Sequence, residues 1–177
     1  MDAAVDRLQA IPLEDFVDER KRLAKELRSA GDREGAAELA KLPKPTPPAW
    51  ALNHFAREQP DAMGAWLDVA EALRTESAAP GAGLREAMAA HREATGQLVK
   101  AVRDLARPGG KPLSEPMLER VRALLQAALT DPEQAERLRA GRIAEGGDDD
   151  DLALPAPGPA KRVKTPAKRK GKRDGNG

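Results

Sequence analysis

Apolar residues recur every three or four positions through most of residues 11–143, which is the spacing of one face of an α-helix. Glycine and proline interrupt this pattern at intervals, most clearly at Gly31, in residues 77–83 and in residues 107–114. No stretch alternates between apolar and polar residues in the way a half-buried strand does. We therefore predict an all-α fold, a helical bundle of about six or seven helices, preceded by an N-terminal lead-in at residues 1–10.

The residues at the segment boundaries indicate where individual helices begin and end. Pro12 suits a first helical turn, Gly31 suits a helix end, and Asp32 is a good N-cap for a second helix. These residues predict a tight hairpin of the first two helices. Thr46 followed by Pro47 predicts the start of a third helix in the same way.

The clearest periodicity lies in residues 83–107, where successive seam positions are separated by four or three residues. The seam consists of Leu84, Met88, His91, Thr95, Leu98, Val102 and Leu105. Two of its members are polar. Such a seam predicts packing against another helix, either within the bundle or in a protein partner or a second copy.

The pattern ends after Ile143, where an acidic and Pro/Gly-rich linker (144–160) is followed by a basic tail (161–177). Both segments are too poor in apolar side chains to offset the entropy lost on ordering, so we predict that the tail is disordered. The tail holds eight cations against Asp174, a formal charge of +7, and residues 1–160 carry −6. The cations are Lys161, Arg162, Lys164, Lys168, Arg169, Lys170, Lys172 and Arg173.

A mobile segment with this charge can hold a polyanion, because each Lys or Arg that neutralises a phosphate releases counterions. The tail has no aromatic residue that could stack on bases, which predicts nonspecific binding of DNA or RNA through the phosphate backbone. Two alternatives remain open: the tail only keeps the chain in solution, or it folds back on the acidic run of residues 148–151.

Residues 47–58 bring together rare side chains, since the whole chain has only two Trp, two Phe and two His. Trp50, Asn53, His54 and Arg57 fall on one side of the predicted helix and form a candidate polar-aromatic surface. The alternative is structural: Trp50 packs in the core and Asn53 bonds a neighbouring backbone. A catalytic role would require these groups to be accessible.

Other chemistry has little support in the sequence. His91 and Thr95 could place a titratable group and a hydroxyl within the bundle, yet a packed histidine is the commoner case. There is no nucleophile elbow, dinucleotide fingerprint or P-loop, and the absence of cysteine excludes thiolate metal sites. We therefore expect no cofactor, no metal and no enzymatic activity.

The start of the chain and its composition suggest a compartment. Residues 1–16 contain acids and no continuous apolar stretch, so we expect neither a signal peptide nor a membrane anchor. A chain without cysteine fits a reducing environment. The expected location is the cytoplasm.

Several motifs resemble a known family. Arg22–Leu23–Ala24 with Leu27, Gly31–Asp32, Lys44–Pro45, Trp50–Ala51 with Asn53, and the stretch LTDPEQAERLRAGRI at 129–143 are similar to a family of small Ala/Arg-rich helical proteins from high-GC bacteria. This resemblance covers most of residues 11–143 and implies a bacterial cytoplasmic protein, without lending an activity. The tail separately resembles the basic tails of histone H1-like proteins in composition.

Overall fold

The computed structural model describes residues 2–79 and 81–145, and in these residues it contains eight α-helices and no β-strand. The helices are α1 (Asp2–Ala10), α2 (Phe16–Ser29), α3 (Arg33–Lys41), α4 (Pro47–Glu58), α5 (Pro60–Ala78), α6 (Leu84–Leu105), α7 (Glu115–Thr130) and α8 (Pro132–Arg139). The predicted all-α class is confirmed. The linker beyond residue 145 and the basic tail lie outside the described residues.

One part of the prediction is corrected at the N-terminus. The residues that were expected to be a lead-in form α1, whose Leu8 is 0 % exposed and packs with Phe16 and Leu39. This adds an eighth helix to the expected six or seven, and the helical region begins before residue 11. Hydrophobic burial of Leu8 stabilises a helix that is too short to persist alone.

The first three helices share a small core of their own. It consists of Leu8, Phe16, Leu23, Ala24 and Leu39. The chain turns between α2 and α3 at Gly31, whose φ of 91° favours glycine, and the Asp32 carboxylate caps α3 by accepting from the Gly35 amide at 2.8 Å. The predicted hairpin is therefore present.

The larger core is built around α4, which is buried on nearly every side. Thr46 caps this helix and prolines fill its first turn, as expected from the sequence. Its apolar side chains join those of α5, α6, α7 and α8 in one hydrophobic cluster, to which Leu13 also belongs. A central helix with so much buried surface must direct its polar side chains at protein groups.

Candidate functional site

The candidate polar-aromatic surface lies on the side of α4 that faces the two ends of the described chain. Trp50, Asn53, His54 and Arg57 do lie along one side of the helix, but Trp50 is only 7 % exposed and Asn53 is 0 % exposed. Two segments cover this side: the end of α1 with the residue that follows it, and a C-terminal segment formed by residues 141–145. The geometry therefore supports the structural alternative.

Asn53 holds the C-terminal segment through its side-chain amide. Its Nδ2 donates to the carbonyl oxygen of Ile143 at 3.0 Å, and its Oδ1 accepts from the Ile143 amide at 2.8 Å. The same Nδ2 lies 3.4 Å from Oε1 of Gln9. The amide thus pairs with the main chain of Ile143 as a neighbouring strand would, and it leaves both buried main-chain groups satisfied.

Arg57 joins the two ends of the described chain. Its guanidinium donates to the carbonyl oxygen of Gln9 at 2.7 Å and to that of Gly141 at 2.8 Å. Burial lowers the pKa of Arg57, although the nearby Asp6 carboxylate opposes this change. The ordinary pKa of arginine is so high that the side chain stays charged. The two carbonyl oxygens therefore accept hydrogen bonds from a charged guanidinium group.

Gly141 is required at its position by both conformation and space. Its φ is 62°, and a Cβ there would lie 3.0 Å from the carbonyl oxygen of Asn53 and 3.3 Å from Cζ of Arg57. Only glycine allows the C-terminal segment to approach α4 this closely without displacing its neighbours.

The two aromatic rings of this face have structural contacts as well. The indole Nε1 of Trp50 donates to the carbonyl oxygen of Ile11 at 2.9 Å. The His54 ring stacks on the indole with centroids 4.8 Å apart and planes inclined by 8°. This stacking buries the two ring faces against each other and leaves the indole N–H to donate to the main chain.

The C-terminal segment ends beside the start of α4. The Thr46 amide donates to the carbonyl oxygen of Glu145 at 2.9 Å, and the Thr46 hydroxyl donates to the Glu145 carboxylate at 3.0 Å. The same carboxylate pairs with Arg120 on α7. The segment that leads to the linker and the tail is therefore fixed at both of its ends, at Gly141 and at Glu145.

These contacts direct the polar groups of Trp50, Asn53 and Arg57 at main-chain groups of the chain itself. No described buried side-chain nitrogen or oxygen lacks a partner. A catalytic role would require these groups to be accessible, and Trp50 and Asn53 are both buried. The face holds the N- and C-terminal segments against the bundle.

His91 and Thr95 are brought together with Trp66 between α5 and α6. The Trp66 Nε1 donates to the Thr95 hydroxyl at 3.0 Å, and this oxygen lies 3.5 Å from Nε2 of His91. The His91 ring is inclined by 51° to the Trp66 ring, with centroids 5.7 Å apart. Burial lowers the pKa of His91, which favours the neutral imidazole that can accept from Thr95.

The remaining seam positions pack unevenly. Leu98 and Val102 are buried in the main core, whereas Met88 and Leu105 are 48 % and 37 % exposed. The seam is thus used mainly within the bundle, by α5 and the core helices. It leaves one exposed apolar side chain near each end of α6.

The chain's formal charge is distributed differently from what the sequence division at residue 160 suggested. Residues 1–145 hold 22 Lys or Arg and 24 Asp or Glu, a formal charge of −2. Most of the −6 assigned to residues 1–160 comes from the acidic run at 148–151, which lies outside the described residues. The helical region is nearly neutral overall.

Within residues 2–79 and 81–145 there is no group of three or more His, Asp or Glu that could hold a metal ion. None of the helices in this part of the chain is long and apolar enough to cross a membrane. No family model, curated protein or solved structure matches the chain. The family resemblance therefore stays a prediction.

Proposed function

We propose that this is an accessory nucleic-acid-associated protein that binds DNA or RNA nonspecifically through its basic C-terminal tail. The observation that carries the proposal is the concentration of eight Lys and Arg against one acid in residues 161–177. Polyanions attract such a segment without any folded recognition surface, and the counterions released on contact supply the free energy.

The helical region is compatible with a protein whose binding groups lie in the tail. The candidate polar-aromatic surface on α4 forms hydrogen bonds to the chain's own backbone. The C-terminal segment is bound to the bundle at Glu145, the last residue that the structure describes. The proposal includes a bacterial cytoplasm as the place of action.

A salt titration tests the proposal. Binding of full-length protein to a mixed-sequence duplex and to a single strand is measured by fluorescence anisotropy over a range of salt concentrations. If all eight tail cations contact phosphates of B-form DNA, the logarithm of the affinity falls with the logarithm of salt with a slope of about −7. Sequence changes in the duplex should have little effect, because no base contact is expected.

Two variants assign the binding to the tail. A chain that ends at residue 160 keeps every contact described above, and a full-length chain with the eight tail cations changed to Gln keeps the length as well. Both should lose measurable binding at physiological salt. Undiminished binding by either variant would refute the proposal.

A protein-interaction module, with a protein partner or a homodimer through the bundle, is the alternative. It rests on the α6 seam, and His91→Leu should alter association if the seam is the interface. The seam's central side chains already pack within the bundle, and its two exposed members, Met88 and Leu105, lie about 25 Å apart along the helix. This arrangement favours the nucleic-acid proposal.

A further inference from the structure

The exposed side of α6 carries a row of cations that the tail proposal does not use. Arg85, Arg92, Lys100 and Arg103 fall within about 80° of one another around the helix axis and extend over about 27 Å of its length. All four residues are exposed, and so are Ala89 and Gly96, which lie between them on the same side. We call this side the basic face of α6.

The cations of this face are mostly unpaired. Several bases on other helices form ion pairs with acids three or four residues away, as Arg122 does with Glu119. Arg85, Arg92 and Lys100 form no side-chain hydrogen bond or ion pair with any described residue, whereas Arg103 lies 3.6 Å from Asp104.

The sequence keeps acids away from Arg85 and Arg92, the N-terminal half of this face. The positions three and four residues before and after Arg85 and Arg92 hold Gly, Ala, Met or Thr and no acid. Side chains three and four residues apart are neighbours on a helix surface, so neither arginine has an acidic neighbour of this kind. The adjacent acids, Glu86 and Glu93, lie about 100° around the helix from Arg85 and Arg92, whereas Glu93 and Asp104 lie within about 40° of Lys100.

The space between the cations is open. A Cβ added at Gly96 would meet no atom within 4 Å, and Ala89 adds only a methyl group. A polyanion can therefore approach the helix surface closely between Arg92 and Lys100. Unpaired cations on a helix surface with small residues between them suit a regular row of phosphates better than a single small anion.

We propose that the basic face of α6 is a second contact for the phosphate backbone of the nucleic acid that the tail binds. This inference rests on the proposed function, because four cations alone bind weakly at physiological salt. Once the tail is bound, the second contact becomes intramolecular and its effective concentration is high. The nearly neutral charge of residues 1–145 removes the general repulsion that a strongly acidic bundle would exert.

Substitutions at Gly96 test this inference in the full-length chain. Gly96→Lys, Gly96→Glu and Gly96→Gln all replace glycine in an open helical position, so each should preserve or increase helix stability. Gly96→Lys should steepen the salt slope by about 0.9, one engaged cation. Gly96→Glu should flatten it by about 1 to 2, because the new carboxylate can pair with Arg92 and Lys100 four residues away. Gly96→Gln should leave it unchanged.

Ala90 provides the matched control. It is exposed, lies about 120° around α6 from Gly96 and is three or four residues from none of the four cations, so Ala90→Lys and Ala90→Glu change net charge equally while placing it off the basic face. Their salt slopes should match that of the parent. Equal effects at positions 96 and 90, or no effect at either, would overturn the α6 contact while leaving the tail proposal standing.

Two further outcomes separate the possible failures. If the unmodified full-length chain binds neither duplex nor single strand at low salt, the proposed function fails and this inference fails with it. If sedimentation of the protein alone differs between Gly96→Glu and Gly96→Gln, the face contacts a second copy of the chain, and the nucleic-acid assignment of the face is overturned.

Discussion

Asn53 is the residue on which the attachment of the C-terminal segment depends most directly. It is fully buried, and it satisfies both the N–H and the C=O of Ile143. Ser, Thr or Asp at this position could not both accept from the N–H and donate to the C=O with the reach of an amide. The requirement at residue 53 is therefore for an amide side chain of this length.

The change Asn53→Ala should lower the free energy of unfolding by about 2–4 kcal/mol, because it leaves two buried main-chain groups of Ile143 without partners. Denaturant titration measures this difference. Gln97→Ala removes an exposed amide from α6 and should change stability by no more than about 0.5 kcal/mol. Equal effects of the two changes would mean that the hydrogen bonds between Asn53 and Ile143 make no net contribution to the free energy of unfolding.

At the scale of the helices, the sequence predicts most elements because their boundaries are local. Thr46 with the following prolines specifies the start of α4, and Gly31 with Asp32 specifies the turn into α3. The helix α1 was missed because it is short and its strongest reason to form, burial of Leu8 against α2 and α3, is a tertiary contact.

The hydrogen-bond partners of the polar face of α4 could not be predicted for a related reason. Its partners at Gly141 and Ile143 lie 84 and 90 residues away from Arg57 and Asn53. Nothing in the periodicity of residues 141–145 indicates that they run along a helix. From the sequence, burial of this face was one of two alternatives. The main-chain groups that bond to it are identified only by the folded structure.

The pairing of α5 with α6 should respond to pH through His91. Because burial lowers the folded-state pKa of His91, the unfolded chain binds more protons between the folded pKa and the ordinary histidine value of about 6.5. The contribution of His91 to stability is therefore complete above about pH 6.5 and is lost as the pH falls through that window.

The measurement is the free energy of unfolding between pH 7.5 and 5.5 for the parent chain and for His91→Gln. The parent should become less stable on acidification over this range, and His91→Gln should reduce that pH dependence because glutamine does not titrate. A parent whose stability does not change over this interval, or rises on acidification, would contradict the assignment.

At the scale of the whole molecule, charge divides into three consecutive regions. The helical residues to 145 carry −2, the run at 148–151 adds four acids, and the tail carries +7. The acids lie between the bundle and the cations along the chain. If the tail binds phosphate as proposed, these acids would compete with phosphate for the tail within the same molecule.

Changing all four acids at 148–151 to Asn should therefore tighten DNA binding several-fold at low salt, and the difference should shrink as salt screens the competition. The control replaces four exposed acids of the helical region by their amides, at Glu58, Asp61, Asp68 and Glu133, for the same change in net charge. A gain of equal size in the control would indicate a general charge effect instead of competition for the tail.

The position of the C-terminal segment has a consequence for how the chain folds as it is made. Arg57 and Asn53 emerge from the ribosome long before their acceptors at Gly141 and Ile143. Until those residues follow, the central helix has an incompletely covered side. A nascent chain arrested before Gly141 should thus remain more open to proteases at α4 than the complete chain.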